Sequence, residues 1–185
     1  MFIETETTPN PATLKFLPGR TVMEQGTANF TDAGAATRSP LATRLFALDG
    51  VTGVFYGADF ITVTKGDDAS WTTLKPAILG AVMDHFTSSA ALLTRSEAPI
   101  PEAEAASEED GEVVAQIKEL LETRVRPAVA QDGGDIIFEA FADGVVYLQM
   151  HGSCSGCPSS TATLKAGIEN MLRHYIPEVV EVRAV

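Results

Sequence analysis

Residues 96–111 hold six acids, two prolines and no base. A stretch so poor in apolar residues and so uniformly charged stays solvated and extended. It therefore divides the 185-residue chain into two pieces, 1–95 and 112–185. Each is the size of a small domain. The net charge is −12, and half of it falls in the dividing stretch. The acidity thus says little about either folded surface, beyond keeping the linker open. A phosphate backbone is repelled by such a chain, so nucleic acid is not an expected partner. No apolar run approaches the ~18 residues of a spanning helix, so no membrane role is expected. Hydrophobic residues make up 45% of the chain, which excludes wholesale disorder.

Both pieces read as mixed α/β (α+β) units joined by the acidic, proline-containing linker. In the first, residues 2–8 and 13–17 are rich in β-branched and aromatic side chains, as strands are. Thr8-Pro9-Asn10-Pro11 between them is turn chemistry. Ser39-Pro40 is a helix start, followed by Leu41, Leu45 and Leu48 at helical spacing. Residues 51–56 and 60–64 form a hairpin pattern. A second helix starts at Trp71 or Pro76, with Leu74, Ile78, Val82 and Phe86 on one face. Trp71, Phe46 and Phe86 are expected core.

The second piece has the order α-β-β-α-β. Val113, Ile117, Leu120, Leu121 and Val125 mark an amphipathic helix that Pro127 is expected to close. Residues 136–141 and 145–150 are strands joined by Asp143-Gly144, a hairpin signal. A helix with Leu164, Ile168, Met171, Leu172 and Tyr175 on one face runs to Pro177, and residues 179–185 alternate as a last strand. The expected product is a three-stranded sheet with two helices on one face. So short a piece has a thin core, which a bound metal or a partner subunit would support.

The chain has two cysteines, Cys154 and Cys157, in Gly152-Ser153-Cys154-Ser155-Gly156-Cys157-Pro158-Ser159-Ser160. The segment lies between an expected strand and an expected helix. Cys157 then falls near the helix N-cap, where free amides favour thiolate. Two residues between cysteines let one loop offer two ligands to one metal. The spacing fits a dithiol–disulfide oxidoreductase, half of a zinc site or half of an iron–sulfur site. Burial as inert thiols is disfavoured by the glycines and serines around them. Iron–sulfur and structural zinc sites take about four protein ligands, and one chain offers two thiolates. Two chains about a twofold axis offer four, at a shared and partly open site.

Gln131-Asp132-Gly133-Gly134-Asp135, the segment from Leu148 to Ser160 and Thr163-Leu164-Lys165 together resemble the C-terminal NifU-type (Nfu) domain. Thr8-Pro9-Asn10-Pro11-Ala12-Thr13-Leu14-Lys15-Phe16 resembles the N-terminal domain of one class of Nfu proteins. The resemblance implies a non-enzymatic scaffold or carrier. It would hold a [4Fe–4S] cluster between the protomers of a homodimer, receive it from an upstream donor and deliver it to apo-proteins. A [2Fe–2S] form is left open. Cys154 and Cys157 would be the ligands of this cluster. The domains would be 1–95, Nfu-type N-terminal, and 112–185, NifU-like. The alternatives are the oxidoreductase and a zinc-bridged structural dimer.

The remaining candidates read more plainly. Asp132, Gly133, Gly134 and Asp135 are turn chemistry, with no partner for acid–base work. His151, Lys165, His85 and His174 are expected to be surface or ordinary packing, although His151, three residues before Cys154, could supply an imidazole. No histidine–acid pair accompanies Ser153, Ser155, Ser159 or Ser160. The residues Met1-Phe2-Ile3-Glu4 carry neither a basic start nor an apolar run, so the expected location is cytoplasmic, of bacterial type.

Overall fold

The computed structural model describes residues 2–94, 108–155 and 158–185. The chain divides into two compact units, Met1–Glu97 and Ala98–Val185. Both are mixed α/β, as the sequence predicts. Most of the predicted linker lies outside the described residues, and helix begins at Glu108, inside it. Among the described residues no helix is long and apolar enough to cross a membrane.

The first unit runs β1 (Glu4–Thr7), β2 (Thr13–Leu17), β3 (Ala28–Phe30), α1 (Ala33–Ala36), α2 (Pro40–Phe46), β4 (Val51–Tyr56), β5 (Ile61–Lys65) and α3 (Trp71–Thr87). Its sheet has the order β1-β2-β5-β4-β3, and every neighbouring pair is antiparallel. Phe16, Val54, Tyr56, Ile61 and Val63 pack from the strands against Leu41, Leu45, Leu74, Ile78 and Val82 from the helices. The sequence left the start of α3 open, and Ser70 caps it before Trp71, so Pro76 lies inside the helix.

Ser39 caps α2 as predicted: its Oγ accepts the Ala42 amide at 3.1 Å. The same hydroxyl lies 2.8 Å from the buried Tyr56 Oη. Ser39→Ala removes the cap and the phenol's side-chain partner, so it is expected to cost about 2 kcal/mol. Trp71 is the chain's single tryptophan. Its fluorescence during urea unfolding reads this unit alone, and an unchanged midpoint would refute the estimate.

The predicted α3 face differs at its end. His85 is 1% exposed, while Phe86 is only partly buried against the core. His85 Nε2 makes no hydrogen bond. Burial, with help from the Arg44 guanidinium, holds the imidazole below its ordinary value of 6.5. The folded unit therefore keeps His85 neutral at acidities where the unfolded chain protonates it. This contribution is complete above the unfolded value and is lost as pH falls below it toward the folded value. The Trp71-detected stability is expected to fall between about pH 7 and pH 5. His85→Leu should flatten that fall; an identical slope in the variant would assign it elsewhere.

The second unit runs α4 (Glu108–Leu120), a π-turn (Leu121–Val125), α5 (Arg126–Gln131), β6 (Gly134–Ala142), β7 (Val145–Gly152), α6 (Pro158–Tyr175) and β8 (Glu181–Ala184). Pro127 does not close the helix, contrary to expectation. The helix widens ahead of it, and the Arg126 amide reaches back five residues to the Leu121 carbonyl. The wider turn accommodates a residue that has no N–H of its own, in the first turn of α5.

The sheet has the order β6-β7-β8. β6 and β7 are antiparallel across Asp143-Gly144, both at positive φ (52° and 76°). Such a turn matches the strand twist. β7 and β8 are parallel, and α6 supplies the crossover that parallel pairing requires. One core joins Ile117, Leu121, Val125 and Val129 to Ile136, Val146, Leu148, Val182, Ile168 and Leu172. Alternate strand residues thus meet both helices on one face, as the sequence predicts.

Candidate metal centre

The cysteine segment leaves the sheet where β7 ends. Gly152, at φ +66°, ends the regular strand in a left-handed conformation that suits glycine. Ser153 is 2% exposed and is pinned twice, its amide to the Gly133 carbonyl at 3.2 Å and its hydroxyl to the Asp132 carbonyl at 2.5 Å. Ser155 donates amide and hydroxyl back to the Gly152 carbonyl, at 3.2 and 2.9 Å. The Thr161 hydroxyl, one turn into α6, donates to the Cys154 carbonyl at 3.0 Å. Residues 153–155 are thus held by hydrogen bonds to backbone carbonyls and from the Thr161 hydroxyl.

Cys154 is a free cysteine, 5% exposed, and it joins the hydrophobic core of its unit. The exposed thiol expected at this position is therefore corrected. The cause is Gly134: a Cβ there would lie 2.5 Å from Cys154 Sγ, so only a bare Cα lets the sulfur settle inward. Gly133, at φ +82°, makes the turn that brings Gly134 there. Burial pushes the thiol up to about 11; the Ser153 hydroxyl opposes the shift, and Asp132 and Asp135 add to it. Cys157, the second expected ligand, and Gly156 lie outside the described residues.

One acid of the turn, Asp135, has an ion-pair partner that sequence reasoning did not single out. Asp135 is 3% exposed and bound by Arg126 in two parallel bonds of 2.8 Å. Nothing local in the sequence signals this pair, because the π-turn sets the direction of Arg126. His151 lies opposite Asp135 across β6 and β7 and is partly buried. Desolvation holds its imidazole below the ordinary range, opposed by the Asp135 charge. Lys165 pairs with Glu181 at 3.8 Å, and His174 is exposed. Among the described residues no group of three or more His, Cys, Asp or Glu side chains is placed to hold a metal ion. Ser153 and Ser155 spend their hydroxyls on backbone carbonyls, which suits holding a loop rather than attacking a substrate.

This cradle of Gly133, Gly134 and Ser153 around Cys154 lies in a stretch that also matches known proteins. Residues 3–89 match the family described as scaffold protein Nfu/NifU N terminal, and residues 117–183 match the NifU-like domain. The human "NFU1 iron-sulfur cluster scaffold homolog, mitochondrial" is 55% identical over 186 residues, covering 100% of this chain and 72% of that protein. The chain belongs to the Nfu/NifU-like family.

Another relative of this Nfu/NifU-like chain is "NifU-like protein 4, mitochondrial" from Arabidopsis thaliana. It is 56% identical over 181 residues, covering 97% of this chain and 64% of that protein. The chain thus spans about two thirds of the length of these relatives. Among solved structures, that of a NifU-like protein from Saccharomyces cerevisiae aligns over 52% of this chain and 87% of its own, at 24% identity and a TM-score of 0.48. The relatives' names overturn the expected cytoplasmic, bacterial-type location, since both curated relatives are named mitochondrial. The expectation rests on the first four residues alone, which do not decide location.

Proposed function

We propose that this Nfu/NifU-like chain carries an iron–sulfur cluster as cargo, in mitochondria, and passes it to apo-proteins. The identity of 55% to a named iron–sulfur cluster scaffold homolog, sustained over the whole chain, carries the reading. Cys154 and Cys157 are the proposed ligands. Two thiolates per chain are half of the usual four, so two copies share one [4Fe–4S] cluster at a twofold axis. Transfer is ligand exchange: a client thiolate takes an iron from a carrier thiolate, and the shared ligand set comes apart. No covalent substrate is turned over, so the role is not enzymatic. Residues 1–95 are proposed as a separate domain for client recognition, joined by residues 96–111 to the cluster domain, 112–185.

Anaerobic reconstitution of the full chain with iron and sulfide tests the proposal. The expected result is a coloured dimer with about four irons and four sulfides per pair of chains. About two of each would indicate the [2Fe–2S] form. A colourless monomer sinks the carrier reading, and a colourless zinc-bearing dimer replaces it with a structural one.

A further inference from the structure

Arg126 reaches from α5 to the first residues of β6. Its Nε donates to Asp135 Oδ1 and its Nη2 to Asp135 Oδ2, both at 2.8 Å. Its Nη1 lies 2.5 Å from Glu122 Oε1, and Asp135 Oδ1 also accepts the Ile136 amide at 2.8 Å. Asp135 is 3% exposed. Gly134, next to it, stands opposite Gly152 with its bare Cα against Cys154 Sγ. The carbonyls of Gly133 and Asp132, just before, hold Ser153. A chain of contacts thus runs from the guanidinium through residues 135–132 to the thiol.

Stability alone is a weak account of this pair. Only the aspartate of this pair is fully buried, the arginine side chain being 29% exposed, and an ion pair that buries a charge repays its desolvation poorly. Parallel bonds from a planar guanidinium do fix direction, in a way a lysine does not.

We propose that the Arg126–Asp135 pair is a positioning device: it locks residues 132–135 against the cysteine segment, so that Cys154 meets the cluster from a fixed place. This rests on the reading of Cys154 as a cluster ligand. The π-turn belongs to the device, because it aims Arg126 at the sheet edge.

The test uses the full chain with Arg126→Lys, Asp135→Asn and, as a control for plain destabilisation, Ile176→Val in the core of the same unit. The first readout is the alkylation rate of Cys154 without metal, in a Cys157→Ala background. The second is retained iron and sulfide, with the visible circular dichroism of the cluster, in chains with both cysteines. Arg126→Lys and Asp135→Asn are expected to speed alkylation and to lower retained iron by about tenfold each, the scale of lost outer-shell support at metal sites. Ile176→Val should change neither. Should Asp135→Asn fail to fold, Arg126→Lys carries the test, because it keeps the charge and loses the parallel bonds. Unchanged alkylation or unchanged iron in the folded variants overturns the proposal, as does an equal effect of Ile176→Val. Cys154→Ser separates the two claims: iron retained there refutes the ligand reading, whereas unaltered alkylation in Asp135→Asn refutes the pair alone.

Discussion

Cys154→Ser should strip the reconstituted protein of nearly all its iron and sulfide while leaving the unit folded. A hydroxyl is a poor replacement for a thiolate toward iron, and with half the ligands gone the shared site has no reserve. The cost to the fold is bounded. Serine nearly matches the shape of cysteine but puts a polar group into the core, at about 1–3 kcal/mol unless it finds a partner. That is well short of the ~5–15 kcal/mol that holds a domain together. Metal and sulfide counts on the sized protein, beside a far-ultraviolet melt, separate the two effects. Cys157→Ser is expected to lose the cluster equally. Stoichiometric iron in either variant would mean that the ligands lie elsewhere.

Gly134→Ala should be the most damaging single methyl group near the site. The added Cβ would lie 2.5 Å from Cys154 Sγ, 2.8 Å from the His151 carbonyl oxygen and 3.2 Å from the Cys154 amide nitrogen. Two of these three are backbone atoms, which have no rotamer to escape into. Either β6 and β7 part or the cysteine segment lifts. Overpacking of this kind costs about 1–3 kcal/mol. In a unit this small, each kcal/mol lowers the melting point by about 4–8 °C. Iron retention should fall as well, because the displaced atom is the proposed ligand. Gly167→Ala on α6 is the matched control. Its Cβ meets nothing within 4 Å, so it should be neutral or stabilise by up to about 1 kcal/mol. Wild-type behaviour of Gly134→Ala in both assays would show that the close approach is not needed.

The sequence made the larger elements legible where pattern and punctuation agreed. Ser39-Pro40 announced α2, and Asp143-Gly144 announced the hairpin, because caps and tight turns depend on a few adjacent residues. β3 and α1 escaped, being three and four residues long, too short for any period to show. The cysteine spacing pointed to the segment, yet the burial of Cys154 did not follow from its glycine-and-serine neighbours. Burial depends on Gly134, which is distant in sequence and adjacent in space. The Arg126–Asp135 pair was illegible for a related reason. Its geometry requires a helix that is not an ordinary α-helix, whereas Pro127 by its usual rule signals an ending.

That helix did leave a mark. Ile117, Leu121, Val125 and Val129, all buried, recur at every fourth position. On an ideal α-helix, with 3.6 residues per turn, such a row advances by about 40° at each step and soon leaves the core. The wide turn at Leu121–Val125 takes up this angular drift and brings the row back into line. The number of residues between Ile117 and Arg126 is therefore an angle as much as a length. Removing one would rotate whatever lies upstream by about 100° relative to Arg126. The apolar row and the guanidinium would then be unable to face the sheet together. Surface loops elsewhere tolerate changes in length, but this helix has a single admissible phase.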